Sequence, residues 1–329
     1  MVMDGIMCKR NALLFVAGFF IITFILSMAL KHAPTQREIA GDTARPQLQD
    51  AAVEPGQVLP GKGEASESGG SGPVINLPWE NEPAFLEAQI KVQAPIMMAA
   101  YKTVLRDPLP GEEENVHLGA SLLKGRTVGP GQVFSQNSSI GPYSAERGFK
   151  EGPTYVGSQL MITTGGGVCK IASTLYNVAG LSNLPIVERH AHGMPVPYVP
   201  YGQDATVSFG IKDLKFYNNT GFPILIWAQG IDNTLYIAFY GQEKPRQIEW
   251  QHQIDKHIKS YTVYHYNPEL LGGEERVAVE GMDGAVVRSW VKVYGEDGSF
   301  ELRPMGVSFY SPLPRVVERG TVKKANSQP

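Results

Sequence analysis

The 329-residue chain exceeds what one ordinary domain needs, and its 43% of hydrophobic residues suffices for a substantial core. The 29 basic and 32 acidic residues leave a formal charge of −3 and are mixed along the sequence. No basic stripe results, which argues against nucleic acid as a partner.

Residues 1–10 read as a cytoplasmic N-terminus and residues 11–30 as a transmembrane anchor. The run from Ala12 to Leu30 carries no charge, and at about 1.5 Å per residue it nearly crosses a hydrocarbon core of about 30 Å. Lys9 and Arg10 directly before it keep the N-terminus inside and place the rest of the chain outside the cell. A cleaved signal peptide is the alternative, since Ser27-Met28-Ala29 has small residues at cleavage spacing. Residues 31–78 are rich in Pro, Gly, Glu and Ser and poor in aromatics, the composition of a disordered linker.

Residues 79–115 read as an N-terminal helical segment. Phe85, Leu86, Ile90, Ile96, Met97, Tyr101 and Leu105 follow a helical pattern that Pro95 kinks or breaks. An amphipathic stretch follows from Val116 to Leu123, then a strand from Arg126 to Phe134 interrupted at Gly129-Pro130-Gly131. From Val168 to Leu181 the apolar residues Val168, Ile171, Ala172, Leu175 and Val178 recur at helical spacing, so Cys169 opens a helix. Alternation then predicts strands at Ala205/Val207/Phe209, Leu214/Phe216, Ile224/Ile226 and Leu235/Ile237/Phe239. The fold class expected is α+β: the helix bearing Cys169 packed on an antiparallel β meander, followed by a small all-β module over residues 246–321 and a disordered tail over 322–329.

Cys169 is the only cysteine beyond the apolar run, and Cys8 lies before it, so the two are not expected to pair. A thiol at a helix N-terminus faces unpaired backbone N–H groups and the positive end of the helix dipole, which favour thiolate. Those N–H groups, from Cys169 and its neighbours Gly167, Val168 and Lys170, also suit a developing oxyanion. Glu188-Arg189-His190-Ala191-His192 supplies two candidate bases; in a strand, Glu188, His190 and His192 would share one face. Asp204 opens the next predicted strand and is a candidate to fix a histidine tautomer. Against these stand plainer readings: Cys169 as a small buried hydrophobe, Asp204 as a turn residue, and His190 and His192 as a zinc face with Cys169. The Gly165 run is followed by no Gly-Lys-Ser/Thr at the spacing a nucleotide site needs. Neither metal nor cofactor is required.

Several motifs in residues 116–243 resemble those of the VanW domain, a module named from an accessory protein of type-B vancomycin resistance clusters. They are Val128-Gly129-Pro130-Gly131-Gln132-Val133-Phe134-Ser135 with Asn137, Gly165-Gly166-Gly167-Val168-Cys169, Ser173-Thr174-Leu175-Tyr176-Asn177, Glu188-Arg189-His190 with His192, Gly202 with Asp204-Ala205-Thr206-Val207, and Asp213-Leu214-Lys215-Phe216 with Asn218. Residues 246–321 are similar, more weakly, to G-five β modules, through Glu280-Gly281-Met282-Asp283-Gly284, Gly298 and Val316-Val317-Glu318-Arg319-Gly320. The resemblance implies a Gram-positive type envelope protein whose partners are peptidoglycan stem peptides and wall glycan. It also implies an L,D-transpeptidase or carboxypeptidase with Cys169 as nucleophile, His192 as base and His190 as the alternative. The family usually has glutamine after the cysteine, where this chain has Lys170. The rival reading is a non-catalytic wall-binding or glycopeptide-binding protein.

Overall fold

The computed structural model describes residues 70–105, 108–156 and 159–322. The expected anchor at 11–30 and most of the expected linker lie outside the described residues. The described residues are mostly β, with several antiparallel sheets. Their first elements are strand β1 (Gly72–Pro73), helix α1 (Pro83–Val92) and strand β2 (Ile96–Val104). Helix α2 (Glu112–Leu123), strands β3 (Arg126–Val128) and β4 (Val133–Ser135), short helix α3 (Gln136–Ile140) and the hairpin β5 (Glu151–Val156) and β6 (Gln159–Thr164) lead to helix α4 (Cys169–Leu181). Strands β7 (Ile186–Glu188), β8 (Lys215–Tyr217), β9 (Ile224–Ile231) and β10 (Thr234–Gly241) follow.

The helical pattern expected through Leu105 stops early. Helix α1 starts at Pro83, where a missing N–H costs little, and ends at Gln93 in the left-handed region at φ 57°. Pro95 then disfavours helix for the residue before it, and Ile96–Val104 runs as a strand antiparallel to β10. Both faces of that strand are covered, so its apolar residues fall at positions that also fit a helix.

The main sheet has the order β1-β2-β10-β9-β3, antiparallel throughout. Ile224, Ile226 and Ala228 of β9 enter one core with residues of α2 and α4, and Leu225 and Trp227 enter another with Trp79, Phe85 and Tyr240. Trp79 Nε1–H donates to the Tyr240 hydroxyl at 2.9 Å, so the second core closes without orphaning the indole. A sheet buried on both faces explains the nearly unbroken apolar runs of β9 and β10.

The sheet is not the consecutive meander expected from sequence. Strand β2 comes from before α2, and β8 leaves for a separate sheet of order β4-β8-β7. The turn at Gly129–Gln132 thus joins two sheets instead of interrupting one strand, since β3 pairs with β9 and β4 with β8. Ala205–Phe209 forms no strand; among the described residues its one bridge joins Ser208 to Lys212, and the Thr206 N–H donates to the His190 carbonyl at 2.8 Å. Helix α4 packs on β2 and β10, and the hydroxyls of Thr103 and Thr174 meet at 2.6 Å across that contact.

The C-terminal part contains β11 (Ile248–Ile258), β12 (Thr262–Leu271), β13 (Glu275–Val279), β14 (Gly284–Tyr294), β15 (Phe300–Tyr310) and β16 (Arg315–Val322). They form two three-stranded sheets, β11-β14-β15 and β12-β16-β13, the second including a parallel pairing of β12 with β16.

Leu175, at the centre of α4, is 0% exposed. Leu175→Ala should lower stability by about 2–5 kcal/mol through lost burial and a residual cavity. Urea denaturation followed by tryptophan fluorescence measures it, and a loss well under 1 kcal/mol would contradict the packing described.

Candidate active site

The glycine run before Cys169 is required by the backbone. A Cβ on Gly166 would lie 2.1 Å from the carbonyl carbon and oxygen of Gly152 in β5, and Gly167 sits at φ 99°. The hairpin β5–β6 therefore approaches the start of α4 as closely as only glycine permits. Val168 is the N-cap, and the N–H groups of Lys170 and Ile171 turn back to the carbonyls of Gly167 and Val168. The Cys169 N–H, by contrast, has no backbone acceptor among the described residues.

From Cys169 the helix presents a stripe at every fourth residue, and the segment 203–207 lies along it. Asn177 Nδ2 donates to the Gln203 carbonyl at 2.8 Å. Ser173 Oγ accepts from the Ala205 N–H at 2.9 Å and donates to the Ala205 carbonyl at 3.1 Å. Cys169 Sγ accepts from the Val207 N–H at 3.5 Å and lies 3.4 Å from Thr206 Oγ1. Four helical residues rise about 6 Å and two extended residues about 6.6 Å, so the two chains stay in step for three contacts. This explains why 203–207 needs no strand partner: its inward polar groups are met by side chains of α4.

The ladder delivers Asp204 to His192. The carboxylate is 1% exposed, and its Oδ2 lies 2.7 Å from both the backbone nitrogen and Nδ1 of His192. Its Oδ1 accepts from Arg189 Nη2 at 2.8 Å and from the Tyr310 hydroxyl at 2.5 Å. With Nδ1 on Asp204, Nε2 is the nitrogen left for the thiol, and Cys169 and His192 line the same cavity, where the charge of each bears on the other. Burial pushes the Cys169 thiol up, but the hydrogen bond and charge of His192, with Thr206 and Val207, outweigh it and bring it down to about 7. Burial pushes the His192 imidazole down, whereas Asp204 and the thiol raise it to about 9. Burial also opposes the Asp204 charge, yet His192 and Arg189 hold the carboxyl at about 2. Between those values the favoured state is a thiolate beside an imidazolium, with Asp204 ionised.

The thiol opens into a cavity of about 590 Å³ whose lining includes His192, Tyr143, Tyr198, Thr164, Phe209 and Lys212. Lys170 also faces it, although its ammonium is bound to the Glu112 carboxylate and sits 5.0 Å from the centre of the Tyr198 ring. Both members of that pair are nearly buried. Neither the Lys170 ammonium nor its N–H is thus a free donor beside the thiol.

Three expected site residues, Cys169, His192 and Asp204, are brought together; His190 is not. Strand β7 ends at Glu188, so the shared face of Glu188, His190 and His192 does not form. The His190 ring turns to Glu188 Oε1 at 2.9 Å, outside the residues lining the cavity, while Lys215 and the Asp213 N–H take the rest of that carboxylate. A Cys169–His190–His192 metal face does not assemble, and the described residues contain no other cluster of three or more His, Cys, Asp or Glu suited to a metal ion. Sequence reasoning missed Arg189, Thr206, Ser173 and Tyr310. The spacing of Cys169, Ser173 and Asn177 was the available signal for Ser173.

Iodoacetamide alkylation of Cys169 in the native protein should show a midpoint near pH 7. In His192→Ala the imidazolium charge is gone and burial of the thiolate dominates, so the midpoint should rise to or beyond the free-thiol value of about 8.5. An unmoved midpoint would sever His192 from the thiol. Lys170→Met leaves the Glu112 carboxylate buried without its partner and should cost about 3–5 kcal/mol in chemical denaturation. Lys170→Met with Glu112→Leu should regain most of it; equal losses in the single and double variants would contradict the coupling.

Residues 111–240 match the family model described as VanW like protein. Among curated relatives, "Uncharacterized protein YoaR" of Bacillus subtilis (strain 168) is 35% identical over 146 residues, 44% of this chain and 48% of that protein. "Vancomycin B-type resistance protein VanW" of Enterococcus faecalis (strain ATCC 700802 / V583) is 29% identical over 139 residues, 41% of this chain and 50% of that protein. The chain spans about half the length of the curated relatives it matches. Similar solved structures include the IgA1 protease G5 domain, 27% identical with TM-score 0.16, covering 25% of this chain and 96% of that one. HP0197-G5 is 14% identical with TM-score 0.14, covering 22% and 99%. The segment that carries Cys169, His192 and Asp204 is a VanW-like domain, spanning residues 111–240 of this chain.

Proposed function

We propose that this protein is an extracytoplasmic, cell-wall associated acyl transferase that remodels peptidoglycan stem peptides through a thioester on Cys169. The observation that carries the reading is the gathering of three groups: Cys169 and His192 line one open cavity, and Asp204 Oδ2 lies 2.7 Å from His192 Nδ1 behind it. Likeness to a protein named for vancomycin B-type resistance supports a substrate in the wall.

The Cys169 thiolate attacks the carbonyl that follows the L-centre of a donor stem, forming the S–C bond and a tetrahedral oxyanion. The Cys169 N–H at the start of α4, which has no backbone acceptor among the described residues, would donate to that oxygen. As the intermediate collapses, the C–N bond to the terminal D-residue breaks and His192 Nε2–H protonates the leaving amine. The now neutral imidazole takes a proton from the amine of a second stem as that amine attacks the thioester. The C–S bond breaks and the thiolate beside an imidazolium is restored. Water in place of the amine makes the same site a carboxypeptidase. Asp204 holds Nδ1 throughout and stabilises the imidazolium. The apolar segment at residues 11–30 would hold the protein at the membrane, with the folded part outside.

Purified protein incubated with tetrapeptide-stem muropeptide should release the terminal D-residue and yield a thioester adduct on Cys169 by mass spectrometry. Cys169→Ala should abolish the adduct and reduce turnover on the order of a thousandfold or more. Equal turnover by Cys169→Ala would sink the mechanism, and tight stem binding without turnover would make the protein a wall-binding module.

A further inference from the structure

Strand β15 ends in Val307-Ser308-Phe309-Tyr310, and its two faces are inverted relative to ordinary strand patterning. Ser308 and Tyr310 are 2% and 1% exposed, while Val307 and Phe309 are 63% and 59% exposed. Successive strand residues point to opposite faces, so burying the polar pair leaves two large apolar side chains in water. Contacts on the inward face must offset that lost burial.

Those contacts are with the network around Asp204. The Tyr310 hydroxyl donates to Asp204 Oδ1 at 2.5 Å and accepts from the Gly202 N–H at 2.7 Å, so it is fully committed. Ser308 Oγ accepts from Arg189 Nη1 at 2.8 Å, steadying the guanidinium that also binds Asp204 Oδ1. The Tyr310 ring clusters with Ala285 and Val287 of β14 and with Ala191 and Tyr201 of the VanW-like domain. The Ser311 N–H donates to the Gly193 carbonyl at 2.8 Å, one residue beyond His192.

A carboxylate turns about its Cβ–Cγ bond, and an Oδ2 bond alone would not fix it. Tyr310 and Arg189 hold Oδ1, which leaves Oδ2 facing the N–H and Nδ1 of His192. We propose that Tyr310 is a positioning residue for Cys169, His192 and Asp204, so that the site is completed by a strand lying outside residues 111–240. The proposal rests on the reading of Cys169 as the reacting thiol. The groups facing this network are His192 and Arg189 beside Asp204, Cys169 beside His192, Tyr176 with its ring 5.2 Å from the Arg189 guanidinium, and Tyr310 itself. From β11, His252 meets Gln203 at 2.9 Å and Ser289 Oγ at 3.0 Å and none of the groups just named.

The test compares iodoacetamide alkylation of Cys169 against pH in the full chain, wild type and Tyr310→Phe, with thermal melting as the check on folding. Losing the hydroxyl removes one of the two donors that hold Oδ1, so Asp204 can turn away from His192 Nδ1 and the imidazolium loses its carboxylate partner. That disfavours thiolate, so the alkylation midpoint should rise by about one pH unit. Tyr266→Phe, at a side chain 79% exposed in the same module, should keep the wild-type midpoint. An unchanged midpoint in folded Tyr310→Phe, or an equal shift in Tyr266→Phe, overturns the proposal. If Tyr310→Phe has no cooperative melt, Ser308→Ala probes the same strand through Arg189: a rise supports the role and no change refutes it. Muropeptide turnover is a separate readout. Its absence with the midpoint shift intact would fault acyl transfer on stem peptides and leave the positioning role standing.

Discussion

The Asp204 carboxylate is the constraint around which the VanW-like domain and the C-terminal module are arranged. An ionised carboxylate removed from water must be met by charge and by hydrogen bonds, or it neutralises. Here both oxygens are engaged: Oδ2 by the His192 N–H and Nδ1, Oδ1 by Arg189 and Tyr310. Three separate segments must therefore be in place before the charge is tolerated. The same arrangement determines which imidazole nitrogen faces the thiol, so the electrostatics of Cys169 follow from how Asp204 is satisfied.

Helix α4 links that polar site to the core. One face carries Ile171, Leu175 and Val178, all 0% exposed, against the sheet. The neighbouring stripe of Cys169, Ser173 and Asn177 holds segment 203–207 by side-chain bonds. Core packing thus fixes the helix and the helix fixes the loop that bears Asp204. The glycines at 166 and 167 complete the arrangement by letting β5 and Glu112 approach the first turn. A displacement of α4 of an ångström would break the step between helix and loop as well as the core contacts.

Much of the site was legible in the sequence because its parts carry local signals. The glycine run, the thiol at a helix start and the histidine pair are short patterns with physical reasons. Asp204 was found too, although by a strand assignment that does not hold, since side chains of α4 replace a strand partner. The choice between His190 and His192 depended on β7 ending at Glu188, which no local pattern marks. Strand β2 was hidden because burial on both faces gives apolar residues at helical positions as readily as at strand ones. Tyr310 lies 106 residues from Asp204, and its strand has polar residues inside and apolar ones outside. Hydrophobic patterning applied to β15 selects the wrong face.

Tyrosine at that position has a physical rationale beyond reach. Asp204 already faces the guanidinium of Arg189 and, in the state with thiolate, the imidazolium of His192. A third cation there would overcompensate the carboxylate and repel the imidazolium, lowering the share of His192 that is protonated and with it the thiolate. A neutral hydroxyl supplies the hydrogen bond and adds no charge. Its own acidity supports this, because burial and the Asp204 charge push the Tyr310 phenol well above its ordinary value and keep it a donor. The C-terminal module therefore contributes geometry to the site without altering its net charge, which is what a thiolate and imidazolium pair requires of its surroundings.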